Sequence, residues 1–183
     1  GNIASGDYTV VLTVNGKTYA QPLTVKIDPR VKTSVSDLQK QFDLSKRLYD
    51  NWLLLQPINK SIGELSAQLA KAKTSAGQNA TLAANIDALG KKLNEAAGAP
   101  NAPLGASLSI GVFDRLQTLF STIQEVDAAP TPTVETAANE VLRASQTAVE
   151  RWRAIESSDL PELNRRLKAA RLQEIKLDSV QQK

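Results

Sequence analysis

Residues 6–28, GDYTVVLTVNGKTYAQPLTVKID, alternate apolar and polar side chains on both sides of an Asn15-Gly16 pair, and residue 29 is a proline. Asn-Gly is the preferred dipeptide of a two-residue type I′ turn, so the stretch predicts a β-hairpin. The turn fixes the register: Val14 faces Lys17, Leu12 faces Tyr19, Val10 faces Gln21 and Tyr8 faces Leu23. Tyr8, Leu12, Tyr19, Leu23, Val25 and Ile27 then share one face, while Thr9, Val11, Thr13, Thr18 and Thr24 occupy the other. Pro22 has no N–H for a ladder, so its strand is expected at an edge or with that position facing outward. A lone hairpin is marginal in water. The expectation is therefore that residues 1–30 are the remnant of a truncated β-sandwich, and that two copies can associate through the unpaired hairpin edges.

After Asp28-Pro29-Arg30 the hydrophobic period changes from two to about 3.5. Ser34 or Ser36 can cap a helix carrying Leu38, Phe42, Ser45, Tyr49 and Trp52, then Ile58, Ile62, Leu65, Leu69 and Ala72. Pro57 is expected to kink or split it. A second stripe holds Leu82, Ile86, Leu89 and Leu93, with Gly90 as a weak point, and ends in a Pro/Ala/Gly-rich segment, 96–103, that reads as a mobile surface loop. Further stripes follow at Val112, Leu116, Leu119, Ile123 and Val126, and at Val134, Ala138, Val141, Ser145, Ala148, Trp152 and Ile155, the latter capped by Thr133 or Thr136. Residues 158–162 are expected to interrupt the chain before a short last helix with Leu163, Leu167 and Ala170, and the residues after Leu172, where the pattern fades, are expected to be frayed. The predicted fold is mainly α: an up-and-down antiparallel bundle of about five helices over residues 31–183, preceded by the hairpin.

Composition narrows the chemistry. The 183 residues contain no Cys, His or Met, which removes thiol nucleophiles, imidazole bases and the softer metal ligands. Asp43, Asp50, Glu64, Asp87, Asp114, Glu140 and Glu150 each have a Lys or Arg within four residues, the arrangement of a solvated helix ion pair. Ser45-Lys46 and Lys60-Ser61 are neighbours on a helix and point apart, so they make poor dyads. No glycine-rich phosphate loop is present. Trp52 and Trp152 occupy heptad positions and read as core anchors. No catalytic residue, cofactor site or metal site is assigned, no window resembles a membrane span or signal peptide, and nucleic acid is not an expected partner.

The net charge of +3 resides at the C-terminal end, since residues 143–183 hold 9 Lys/Arg against 6 Asp/Glu while 1–142 are balanced at 13 each. Arg151, Arg153, Arg165, Arg166, Lys168 and Arg171 form the one basic cluster, interrupted by Glu150, Glu156, Glu162 and Glu174. It is the candidate surface for an acidic partner or cell-envelope polymer; a solvated helix face is the simpler reading.

The segments GDYTVVLTVNGKTYAQPLTVKIDPRV, DLQKQFDLSKRLYD, DAAPTPTVETAANEV and RWRAIESSDLPELNRRLKAA together resemble the C-terminal region of large exported bacterial proteins. Those proteins carry a sortilin-type or sialidase-like Asp-box β-propeller, followed by an immunoglobulin-like sandwich and a helical region. The resemblance implies a periplasmic or secreted parent whose propeller and sandwich are this chain's partners. It implies a non-catalytic structural or interaction module, or alternatively an accessory region of a glycoside hydrolase whose active site lies upstream. The Asp-box pattern itself, Ser-x-Asp-x-Gly-x-x-Trp, has no match here.

Overall fold

A computed structural model describes residues 5–177. Two strands, β1 (Gly6–Val14) and β2 (Lys17–Val25), precede helices α1 (Val35–Ala76), α2 (Ala80–Ala97), α3 (Gly111–Gln124), α4 (Pro132–Ala154) and α5 (Leu160–Ala169). Asn15 (φ 49°) and Gly16 (φ 75°) adopt the left-handed conformations of a type I′ turn, and the pairing follows the expected register, with Leu12 opposite Tyr19 and Tyr8 opposite Leu23.

Of the two candidate caps for α1, Ser34 is the one used: its Oγ accepts from the Asp37 N–H at 3.1 Å and donates to the Asp37 carboxylate at 2.7 Å. Pro57 does not split the helix, which continues for 42 residues, about 63 Å at 1.5 Å per residue. Leu55 and Ile58, either side of the proline, are both buried, and this packing holds the helix across the missing hydrogen bond.

The bundle has three rods. Helix α1 is the first. Partners along it descend steadily: Lys73 meets Asp87, Ser66 meets Gly105 and Ala106, Asn59 meets Ile110, Trp52 meets Phe113, Tyr49 meets Phe120, and Gln41 meets Ile123. Helices α2 and α3 therefore lie in series, both antiparallel to α1, and form one interrupted rod. The connection 98–110 does not reverse the chain, contrary to the expectation that successive helices alternate in direction. Nor is it an untethered loop: Asn94 donates to the Ala102 carbonyl at 2.6 Å, and the Ser66 hydroxyl donates to Ala106 O and accepts from Gly105 N–H. Gly105 (φ 84°) sits where an added Cβ would come within 2.9 Å of the Ala70 methyl group, so only glycine allows this approach. Gly90, read as a weak point, gives Leu104 a place to pack on α2.

The third rod starts at Thr131, which caps α4 in place of the expected Thr133 or Thr136, and it is not interrupted at 158–162. A π turn over Ile155–Asp159 carries α4 directly into α5. Pro161 lacks the N–H that a regular helix would need there; the wider turn lets Leu160 N–H reach Ile155 O, and the Ser157 hydroxyl donates to the Arg153 carbonyl at 2.7 Å. The described residues thus form four continuous helices, slightly fewer than the five expected.

Leu48, Leu55, Ile62, Leu65 and Leu69 of α1 meet Ile86, Leu93, Leu116, Val141, Trp152, Ile155 and Leu167 in one core. In the first half of α1 the buried stripe is Gln41, Leu44, Ser45, Leu48 and Leu55; of the expected line Ser45 is buried, while the stripe otherwise runs one residue, about 100° around the helix, from Phe42, Tyr49 and Trp52. Val126, expected to extend the α3 stripe, lies beyond the helix and is 59% exposed. Beyond Leu172, where the pattern fades, the chain is nonetheless docked. Both backbone groups of Ile175 pair with the Asn164 side chain at 2.8 Å, and Gln68 holds Lys176. The last part of that tail, 178–183, lies outside the described residues.

Candidate functional site

The hairpin concentrates the exposed apolar surface. Tyr8, Val10, Leu12, Val14, Tyr19 and Leu23 share the face set by the register and are 37–59% exposed, whereas Val25 and Ile27, at its base, are half-buried. Such a face covers several hundred Å², the size at which apolar patches mark interaction sites. The other face is lined by Thr9, Thr13, Thr18 and Thr24 around Val11, which is 59% exposed, with Asp7 accepting from the Thr24 hydroxyl at 2.7 Å and Thr13 and Thr18 hydroxyls 3.4 Å apart. The hairpin is thus amphipathic, with a side that seeks a second layer and a side suited to water.

Its attachment is ordered. Arg30 folds back on Asp28 through its backbone N–H and guanidinium, at 2.6–3.2 Å, and this pairing holds the Asp28 carboxyl below the usual carboxylate range. The Thr33 hydroxyl donates to Asp127 O, and the Gln41 amide donates to the Ile123 and Val126 carbonyls at the end of α3. A cleft of about 310 Å³ lies between this stalk and the bundle, lined by Val25, Ile27, Val35, Leu38, Phe42 and Ser45 among others.

Alongside it, α1 and α3 share an aromatic seam, with Tyr49 and Phe120 at 5.5 Å, Trp52 and Phe113 at 5.6 Å, and Tyr49 and Trp52 at 6.0 Å between ring centroids. Trp52 is therefore half-buried in a seam and not a central anchor, while Trp152 is 2% exposed in the core as expected. Sequence periodicity missed this seam, because Phe113 and Phe120 become its other wall only once α3 is placed along α1.

The six basic residues do not form one patch. Arg151 and Arg153 point about 200° apart around α4, and Arg151 to Arg171 spans about 30 Å of rod. Arg151 donates to the Glu95 carbonyl at 2.8 Å and so caps the end of α2. Arg165 and Arg166 both bind Glu162, whose carboxyl is held low chiefly by the Arg166 hydrogen bond, and Lys168 lies 3.7 Å from Glu174. Arg171 takes the left-handed conformation (φ 58°) that closes α5, and Arg153 is exposed. Most of this charge is engaged in structure.

Four of the seven carboxylates considered for catalysis are likewise engaged. Asp50 pairs with Lys46 at 2.5 Å, Glu64 with Lys60 at 3.4 Å, and Asp43 accepts from Gln39 at 2.8 Å. Asp87 pairs with Lys73 on the neighbouring helix at 2.7 Å, a contact between rods and not along one. Among the described residues no group of three Asp or Glu side chains converges to hold a metal ion, and no helix is long and apolar enough to cross a membrane. No protein family, characterised relative or solved structure matches this chain.

Proposed function

We propose that this chain is a non-catalytic structural and interaction module in which the helical bundle is a stable stand and the hairpin is the docking element, within an exported multidomain protein of the kind the resemblance names. The observation that carries this reading is the contrast in burial. The bundle completes its core without any side chain of β1 or β2, yet six apolar side chains on one hairpin face stay 37–59% exposed. A sheet of two strands gains independent stability when further strands or a second layer join it, so other β-structure is the partner chemistry that fits.

The test compares the full chain with one lacking residues 5–28. Sedimentation velocity should show association by the full chain and none by the shortened one, with helical circular dichroism retained in both. Association that survives the deletion contradicts the docking role. Hydrolysis of any glycan in a polysaccharide panel by the full chain, lost on single Asp or Glu substitution, contradicts the non-catalytic reading.

A further inference from the structure

We propose that the hairpin's partner is a second copy of this chain, joined antiparallel along the outer edge of β1 with Val10 opposite Val10. The inference rests on the reading of the hairpin as the docking element and goes further by naming the edge, the register and the occupant.

The backbone decides the edge. In a hairpin closed by a two-residue turn, the flanking pair exchanges both hydrogen bonds and the pattern alternates along the ladder. Val14 and Lys17 are that pair, so Val14, Leu12, Val10 and Tyr8 turn their N–H and C=O groups toward β2. Thr13, Val11, Thr9 and Asp7 turn theirs outward. On β2 the outward set is Thr18, Ala20, Pro22 and Thr24. Pro22 therefore costs the hairpin nothing internally, but it removes a donor from the centre of the outer β2 edge. Among the described residues no third strand pairs with either edge, and only the β1 edge has a complete set of donors.

That edge is complementary to itself. Two β1 strands laid antiparallel over their full length, Gly6 to Val14, place Val10 opposite Val10, Tyr8 opposite Leu12, Thr9 opposite Val11 and Asp7 opposite Thr13. The outward-facing residues meet each other in this register: Asp7 with Thr13 and Thr9 with Val11, each pair twice and each exchanging two bonds. Val10 with Val10 falls at the close, non-bonded position where side chains pack best. Asp7 is the one charged residue of β1, and it faces a threonine, so no like charges oppose. The product is a four-stranded sheet with both apolar faces on one side and a Pro22-blunted strand at each end. Assembly by this edge is isologous and stops at two copies. Nine-residue edges bury less than the roughly 1,200 Å² of a stable interface, so the dimer is weak and concentration-dependent.

Sedimentation velocity on the full chain over a concentration series tests this. The wild-type chain should pass from monomer to dimer and go no further. Val11→Pro, which repeats on β1 what Pro22 does on β2, should stay monomeric with unchanged helical circular dichroism. Val10→Lys and Val10→Glu should each be monomeric at low salt, because each places like charges opposite, and an equimolar mixture of the two should restore the dimer. Pro22→Thr should open the second edge and yield species larger than a dimer. A wild-type chain that is monomeric throughout, a Val11→Pro chain that dimerises as well as wild type, or a Lys/Glu mixture that fails to pair overturns the proposal. Association that needs residues 5–28 but ignores these substitutions refutes the edge and register alone; association that persists without residues 5–28 refutes the docking role itself.

Discussion

Leu65 on α1 and Leu12 on β1 are the same residue in opposite circumstances, the first 0% exposed and the second 59%. A helix with one apolar stripe is satisfied by two neighbouring rods, and the bundle supplies them from local sequence. A two-stranded sheet has no second layer of its own, so its apolar face remains open unless another molecule or segment covers it. One region uses hydrophobic residues to fold; the other displays them.

Alanine substitutions give the sharpest separation. Leu65→Ala or Ile62→Ala should lower unfolding free energy by about 2–5 kcal/mol in urea titrations, because each leaves a cavity among fully buried neighbours. Leu12→Ala should change it by less than about 0.5 kcal/mol, the ordinary range for an exposed position. Equal effects at the two sites would erase the distinction between the regions.

Next in size is the joint between α2 and α3. The Asn59 side chain accepts the Ile110 N–H at 2.6 Å at the start of α3, and Ile110 is 1% exposed. Asn59→Ala strands that donor and should cost about 1–3 kcal/mol, measured in the same titration. Asn59→Asp, which keeps an acceptor, should recover part of the loss.

These cases also explain what could be read from residues alone. The hairpin register was legible because Asn15-Gly16 dictates it locally. The stripe Ile58, Ile62, Leu65, Leu69 was legible because no competing apolar line runs beside it. Earlier in α1 two lines compete, one through Phe42, Tyr49 and Trp52 and the other through Leu44, Leu48 and Leu55, and α3 decides between them by drawing the aromatics into its seam. The serial placement of α2 and α3 depends on Ser66 and Asn59, which lie 39–51 residues from the backbone groups they hold. The π turn depends on Pro161 being accommodated by a wider helix, and residue pattern alone made it look like a break. As for the site, the apolar hairpin face was visible in the alternation; the dispersal of the basic cluster around its rod was not, because the cluster is contiguous only in sequence.

The smallest effect concerns pH. Asp28, Asp37 and Glu162 have carboxyls held below their ordinary range, first by Arg30, by Ser34 and by Arg166 respectively. A depressed folded-state pKa means stabilisation that is present above the unfolded-state value and is lost as pH falls through the folded-state value. Stability should therefore be level across pH 5–8, where the chain has no histidine to titrate, and fall below about pH 4. All three groups are exposed, so the decline is shallow and salt reduces it. A stability change near pH 6.5 would contradict this assignment.

The separation of stand from display is tested most directly by urea unfolding of the chain without residues 5–28 against the full chain, followed by helical circular dichroism. The account predicts one cooperative transition in both, with midpoints that agree to within about 0.5 kcal/mol of unfolding free energy. A shortened chain that loses cooperative unfolding, or whose midpoint falls as far as that of Leu65→Ala, would show that the hairpin is part of what folds the bundle.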